Sequence, residues 1–400
     1  MAKNISENFL TNNIFIFNSY SCIPTVERIY PSPSEVNETL KVYADKQSPI
    51  TFAFGSKVGL VRLNKNGSIA ESNILGKITA IPGGKIENYF TFFKRNGFLF
   101  PLSFSNFDSV DVVALQAIID RLHATLELIS TITDMSRTSY EKISRLIFYH
   151  IFAPVVEIET NGEKYTYRST LHPYTINHDS ACSLVHEKRL DDTFNNVSFD
   201  FKDTISQITL TADFVSKMLN GCPPENKYDN DNFKRIFAMY CAPRTIISKR
   251  DQIINDFLFH YCIEIGMVER VDLSKILFYN GEVDKTHFSE EMKKAALLTA
   301  KIIIKEEIEL NLRRLKATYD INKMEPAWKI DSLLSALYFG LFYMRPNSEI
   351  YRRCANPRCG EFFLVSVSSQ KKKYCCKACM NRAMAARKRA KTKIEESKMK

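Results

Sequence analysis

Five of the ten cysteines in this 400-residue chain fall between Cys354 and Cys379. They are ordered Cys354-x4-Cys359, then fifteen residues, then Cys375, Cys376 and Cys379. Two short cysteine pairs separated by roughly 12–20 residues is the form that structural zinc sites take. Each pair folds back on itself as a knuckle, and two knuckles offer four thiolates to one ion at about 2.3 Å. In a reducing compartment such spacing points to a metal rather than to disulfides. The spacing leaves the third ligand open, because Cys375-x3-Cys379 and Cys376-x2-Cys379 both make a knuckle. Four thiolates close the coordination shell, so the expected role of one Zn2+ is structural, and no H-E-x-x-H or H-x-E setting lies nearby. A segment of about 40 residues buries too little apolar surface to fold alone, and the metal would supply the missing stability.

Between the pairs, "EFFLVSV" has the composition of a strand, "SSQK" of a turn and "KKY" of a returning strand. The last cysteine opens "CMNRAMAARKRAKTK", which lacks Gly and Pro and predicts a helix. Knuckle, hairpin and a helix with a ligand in its first turn amount to a treble-clef-like finger. On that helix Ala383, Met384 and Ala390 are placed to pack inward while Arg387, Lys388 and Lys391 face out. Residues 351–400 hold fifteen Lys/Arg and three Asp/Glu, so they carry +12 of a chain whose net charge is +10, and the other 350 residues carry −2. A near-neutral body with one cationic segment predicts a polyanionic partner. The expected nucleic-acid contacts are Lys371, Lys372, Lys373, Arg382, Arg387, Lys388, Arg389 and Lys391, with double-stranded DNA as the first candidate. RNA or an acidic protein surface is the alternative, which would make the finger an interaction scaffold; a merely solvated basic stretch is the plainest reading.

The rest of the chain reads as α+β. Residues 1–105 look strand-rich, 106–345 mixed and then mainly helical from about Asp231, 346–393 the finger, and 394–400 a tail. Leu115, Ile118, Ile119, Leu122, Leu126 and Ile129 form one helical stripe after Asp111. A second helix is expected over Ser139–Phe152, and a hairpin around Asn161-Gly162 within Val155–Ser169. Short strands are expected near Val197–Phe201 and Ile205–Thr211. A long helix capped by Ser289 is predicted to run to Thr318, and a last one from about Asp331 through "LLSALYFGLFYM". That apolar run is about 12 residues, too short to span a bilayer. No secretory signal pattern opens the sequence, so a cytoplasmic protein without membrane attachment is expected. Cys22, Cys182, Cys222, Cys241 and Cys262 read as small buried hydrophobes, and Trp328 and Phe92–Pro101 as packing residues. His178, Cys182 and His186 share one face only if their stretch is helical. Gly83-Gly84-Lys85 matches no phosphate-binding fingerprint and reads as a turn. No nucleophile or acid–base constellation stands out, and no enzymatic activity is expected.

The segment resembles the CGNR zinc finger family of bacterial proteins. The resemblance is carried by "RRCANPRCGEFF" (Arg352–Phe363), by Tyr374 before a cysteine, and by "CMNRA" (Cys379–Ala383) opening a basic helix. An apolar helix like "LLSALYFGLF" commonly precedes the finger in that family, so the likeness spans about residues 330–393. It implies a zinc-binding transcription regulator with an ABATE-type N-terminal domain that senses a signal, dimerises or binds a partner. It also implies that the cysteine following the aromatic is a ligand, giving the set Cys354, Cys359, Cys375 and Cys379. The chain departs from the family at Met380, which stands in place of the motif's glycine, and in a second pair one residue tighter.

Overall fold

The computed structural model describes residues 15–32, 35–55, 58–134, 139–153, 155–167, 199–202, 205, 207–210, 233, 236–237, 240, 248–278, 288–321, 324–344, 349–369 and 371–398. The chain divides into two compact units. One comprises Met1–Asp134, Val156–Tyr167 and Ile308–Lys400; the other comprises Met135–Val155 and Arg168–Glu307. Helices and strands are mixed, and every strand pairing among the described residues is antiparallel.

The first unit is built on β2 (Glu35–Gly55), which pairs along its length with β1 (Phe15–Ser32). Its later half also pairs with β3 (Gly59–Leu63), which is followed by β4 (Ile69–Glu71), and its earlier half pairs with β5 (Asp108–Asp111). Alternation explains the burial: Leu40, Val42 and Ala44, then Ile50, Phe52 and Phe54, point into the core at every second position. The edge strand β1 tolerates Pro24, which has no N–H to give. The segment Ile86–Asn96 lies beside that strand, with the Cys22 Sγ donating to Phe93 O at 3.3 Å and Ser21 Oγ to Lys94 O at 3.1 Å. Covering an edge in this way blocks unwanted strand pairing. Phe92, Phe93, Phe98, Leu99 and Phe100 are buried, as their composition suggested.

Helix Val112–Thr133 follows β5 directly. Asp111 caps it by accepting from Ala114 N at 2.6 Å, and all six stripe residues are buried. Helix Leu333–Phe342, capped by Ser332, is apolar on every side and accordingly buried. Phe339 meets Phe15 edge-on at 5.0 Å and Trp328 at 5.8 Å. No helix among the described residues is long and apolar enough to cross a membrane.

Taken by itself, the second unit packs the Ser139-capped helix Tyr140–Phe152 and helix Lys249–His260 through Phe148, Phe257 and Tyr261. Arg250 pairs with Glu306 of helix Glu290–Leu312 at 2.6 Å. Hairpins Phe199–Lys202/Gln207–Leu210 and Val268–Val271/Ile276–Phe278 complete its described elements.

Several local expectations hold. Asn161 and Gly162, at φ 52° and 73°, turn the hairpin Val156–Thr160/Glu163–Tyr167, and Ser289 Oγ accepts from Met292 N. Others are corrected. The strand-rich first region also contains helices Ile74–Thr79 and Phe90–Asn96. After Asp231 the described residues are mainly helical, but the stretch also holds three strand pairs that were not expected there. The long helix stops at Leu312 and does not reach Thr318, because Lys316–Asp320 pairs with Glu325–Lys329. Arg314, at that stop, is held by Glu163 and Asp331 and lies 4.3 Å over the Tyr165 ring. His178, Cys182 and His186 lie outside the described residues.

Helix Ile74–Thr79 packs on strand Phe362–Ser366, and Gly76 makes the approach possible, since a Cβ there would sit 1.8 Å from Phe362 O. Alanine normally favours a helix over glycine by about 1 kcal/mol. Here the clash outweighs propensity, and Gly76→Ala is expected to destabilise the fold by about 1–3 kcal/mol in urea unfolding. A more stable variant would contradict the packing.

Candidate metal centre

The first cysteine pair forms the turn of a hairpin. Strand Glu349–Arg353 pairs with Phe362–Ser366 in register from Glu349↔Ser366 to Arg353↔Phe362, and Cys354 and Cys359 sit in the connection. The expected return strand "KKY" is not one: Phe362–Ser366 takes the upstream strand as partner, and the segment after Gln370 is irregular. The cause is the knuckle itself. Cys354 N donates to Glu361 O at 2.9 Å and Cys359 N to Asn356 O at 2.9 Å, which folds the chain back before any later strand is reached. Gly360, at φ +66°, completes that reversal.

Lysines 371–373 contribute backbone rather than a strand. Lys373 O accepts from Ala355 N at 2.8 Å, and Lys372 O accepts from Arg352 Nη1 at 3.2 Å. These bonds strap the second cysteine pair across the knuckle. Cys375 and Cys376 then precede helix Lys377–Lys398, and Cys379 lies in its first turn.

The sulfurs of Cys354, Cys359, Cys375 and Cys379 all lie within 4.8 Å of one another. Cys359 and Cys375 Sγ are 3.7 Å apart. Four sulfurs at 2.3 Å from a central ion stand about 3.8 Å apart at the tetrahedral edge, so this pair is already at that spacing, and the widest needs a contraction of about 1 Å or less. The thiols are free, and 3.7 Å is far beyond a disulfide's S–S length of about 2.05 Å. The four can hold a metal ion. Cys376 is not in this group; it is exposed, with its Sγ 3.9 Å from that of Cys375.

Around the sulfurs is a small apolar cluster of Ile350, Phe363 and Val365, flanked by Val367 and Tyr374. Burial pushes the Cys359 thiol up to about 12. Burial, followed by neighbouring thiols, pushes Cys375 up further. At Cys354 burial also opposes ionisation, but the amides of Cys375 and Asn356 and the adjacent thiols prevail and hold it below the usual thiol range. Without a cation, then, Cys359 and Cys375 keep their protons, while Cys354 ionises more readily than an ordinary thiol.

Two further sets of contacts anchor the centre to helix ends of its own unit. Arg352 Nε donates to Asp134 Oδ2 at 2.9 Å with both side chains buried. Asn73 Nδ2 donates to Glu361 Oε1 and to Phe362 O, both at 2.7 Å. Sequence reasoning missed Asn73 and Asp134, since residues hundreds apart leave no local signal of such pairing; it also missed the buried Asn356, whose bonds to Arg358 N and Cys359 N lie within the knuckle itself.

Of the expected nucleic-acid residues, Lys371, Lys372, Lys373, Arg382, Arg387, Lys388 and Arg389 are exposed; Lys391 lies on the helix, its side chain outside the described set. Lys372 Nζ lies 5.4 Å over the Phe363 ring. Ala383 is buried, but Met384, expected to pack inward, is 59% exposed. Among the described side chains of this helix only Cys379 and Ala383, one turn apart, are buried. Arg353 and Arg358, which sequence reasoning passed over, add exposed charge beside the knuckle.

No family model, no curated protein and no solved structure matches the chain.

The thiol directions fix a pH dependence. Cys359 and Cys375 are protonated at neutral pH, so metal uptake must expel their protons, and acid opposes binding. The apparent affinity for Co2+ is expected to rise by at least about two log units per pH unit between about pH 6 and 8, one for each of these two thiols. A pH-independent titration of the cobalt–thiolate band would contradict this.

Proposed function

We propose that this chain is a zinc protein that binds double-stranded DNA through the helix rooted in its four-cysteine centre, and acts as a transcription regulator. Clustered thiolates suit zinc or an iron–sulfur centre, and a single tetrahedral set of four favours one structural Zn2+. The carrying observation is the position of the cluster. It holds the start of a helix on which Arg382, Arg387, Lys388 and Arg389 are all exposed, next to exposed Lys371–Lys373. A metal there would fix the direction of a cationic rod without occupying any of its charges. Phosphate backbones are the partner such a rod suits, and an extended basic helix can reach a groove.

Knuckle, strand and ligand-bearing helix appear in treble-clef order, although the hairpin differs from the expected one. The likeness of Arg352–Phe363, Tyr374 and Cys379–Ala383 to CGNR fingers supports the regulatory reading. The remainder of the chain would then sense a signal, dimerise or bind a partner in the cytoplasm.

Fluorescence anisotropy of the zinc-loaded protein with duplex DNA tests this. Neutralising about six phosphates gives a slope of log affinity against log salt of roughly −5. Arg387→Glu, Lys388→Glu and Arg389→Glu together should flatten that slope by roughly three, with metal content unchanged. Absence of binding at low salt would sink the DNA reading, and biological activity that survives charge reversal would point to a protein scaffold.

A further inference from the structure

The four clustered thiols are not equally enclosed. Cys354 and Cys379 are buried in the small apolar cluster, whereas Cys375 and the fifth thiol, Cys376, both line a cleft of about 440 Å3. Gly59, Leu60 and the start of helix Ile74–Thr79 also line the cleft. Cys376 Sγ lies 3.9 Å from Cys375 Sγ, essentially one tetrahedral edge, and it is exposed.

We propose that Cys376 is a standby ligand, which trades places with Cys375 and makes the bound metal exchangeable through the cleft. The proposal rests on the metal-binding reading above and extends it from a static clamp to a centre with one labile corner. In the exchange, Cys376 gives its proton to solvent and its sulfur bonds to the metal. The bond from the metal to Cys375 breaks, and the freed Cys375 thiolate takes up a proton. Cys354, Cys359 and Cys379 remain bound throughout, so charge and coordination number are conserved and no oxidant is needed. The same stepwise exchange lets an incoming chelator displace the cleft-side sulfur first.

Full-length protein loaded with Co2+ and challenged with EDTA provides the test, read from the cobalt–thiolate charge-transfer band, whose intensity reports the number of sulfurs bound. Cys376→Ser should keep one cobalt with an unchanged band and release it several-fold more slowly than wild type. Cys375→Ser should retain the band of four sulfurs, because Cys376 fills the corner. Cys375→Ser/Cys376→Ser, like Cys359→Ser alone, should lose it. Wild-type release rates in Cys376→Ser, or a three-sulfur band in Cys375→Ser, would overturn the proposal while leaving the metal centre intact. Failure of the wild-type protein to take up cobalt would instead overturn the metal reading beneath it.

Discussion

Four thiols held within 4.8 Å of each other are a poor core and a good ligand set. Burial opposes ionisation of Cys354, Cys359 and Cys375, and the thiols can offer each other only weak S–H hydrogen bonds. A divalent cation reverses that balance by favouring all four thiolates together. The local architecture is consistent with this demand. The hairpin Glu349–Ser366 presents one pair at its turn, the lysine segment crosses back through two of its carbonyls, bonded to Ala355 N and the Arg352 guanidinium, and the helix opens on the second pair.

The centre is also continuous with the sheet unit to which it belongs. A buried Arg352–Asp134 pair joins the knuckle hairpin to the end of helix Val112–Thr133. Such a pair adds little net stability, but losing one partner strands a buried charge at a cost of about 3–5 kcal/mol. Asn73 adds a second tie by reaching both Glu361 and Phe362, and Gly76 admits the strand at a distance no other residue allows. The residues just after Cys359 are therefore tied to the N-terminus of helix Ile74–Thr79.

What could be read in the sequence follows the range of the interactions. The stripe from Leu115 to Ile129, the helix starts near Asp111 and Ser139, the cap Ser289, and the Asn161-Gly162 turn depend on neighbours within a few residues, and these were legible. The partner of strand Phe362–Ser366 was not, because its composition fits either neighbour and the choice was made by the Cys354–Cys359 turn. The end of the long helix at Leu312 was missed for a similar reason, since Lys316–Asp320 gains its pairing from Glu325–Lys329. Spacing alone left Cys375 and Cys376 tied, and only three-dimensional placement groups one with the other three cysteines. The outward run of basic residues was legible as charge, but not the exposure of Met384.

X-ray absorption at the zinc edge of the purified full-length protein, together with its metal content, bears most directly on the central claim. One zinc per chain surrounded by four sulfurs at about 2.3 Å is the expected result. A substoichiometric metal, or a shell completed by oxygen or nitrogen, would contradict it.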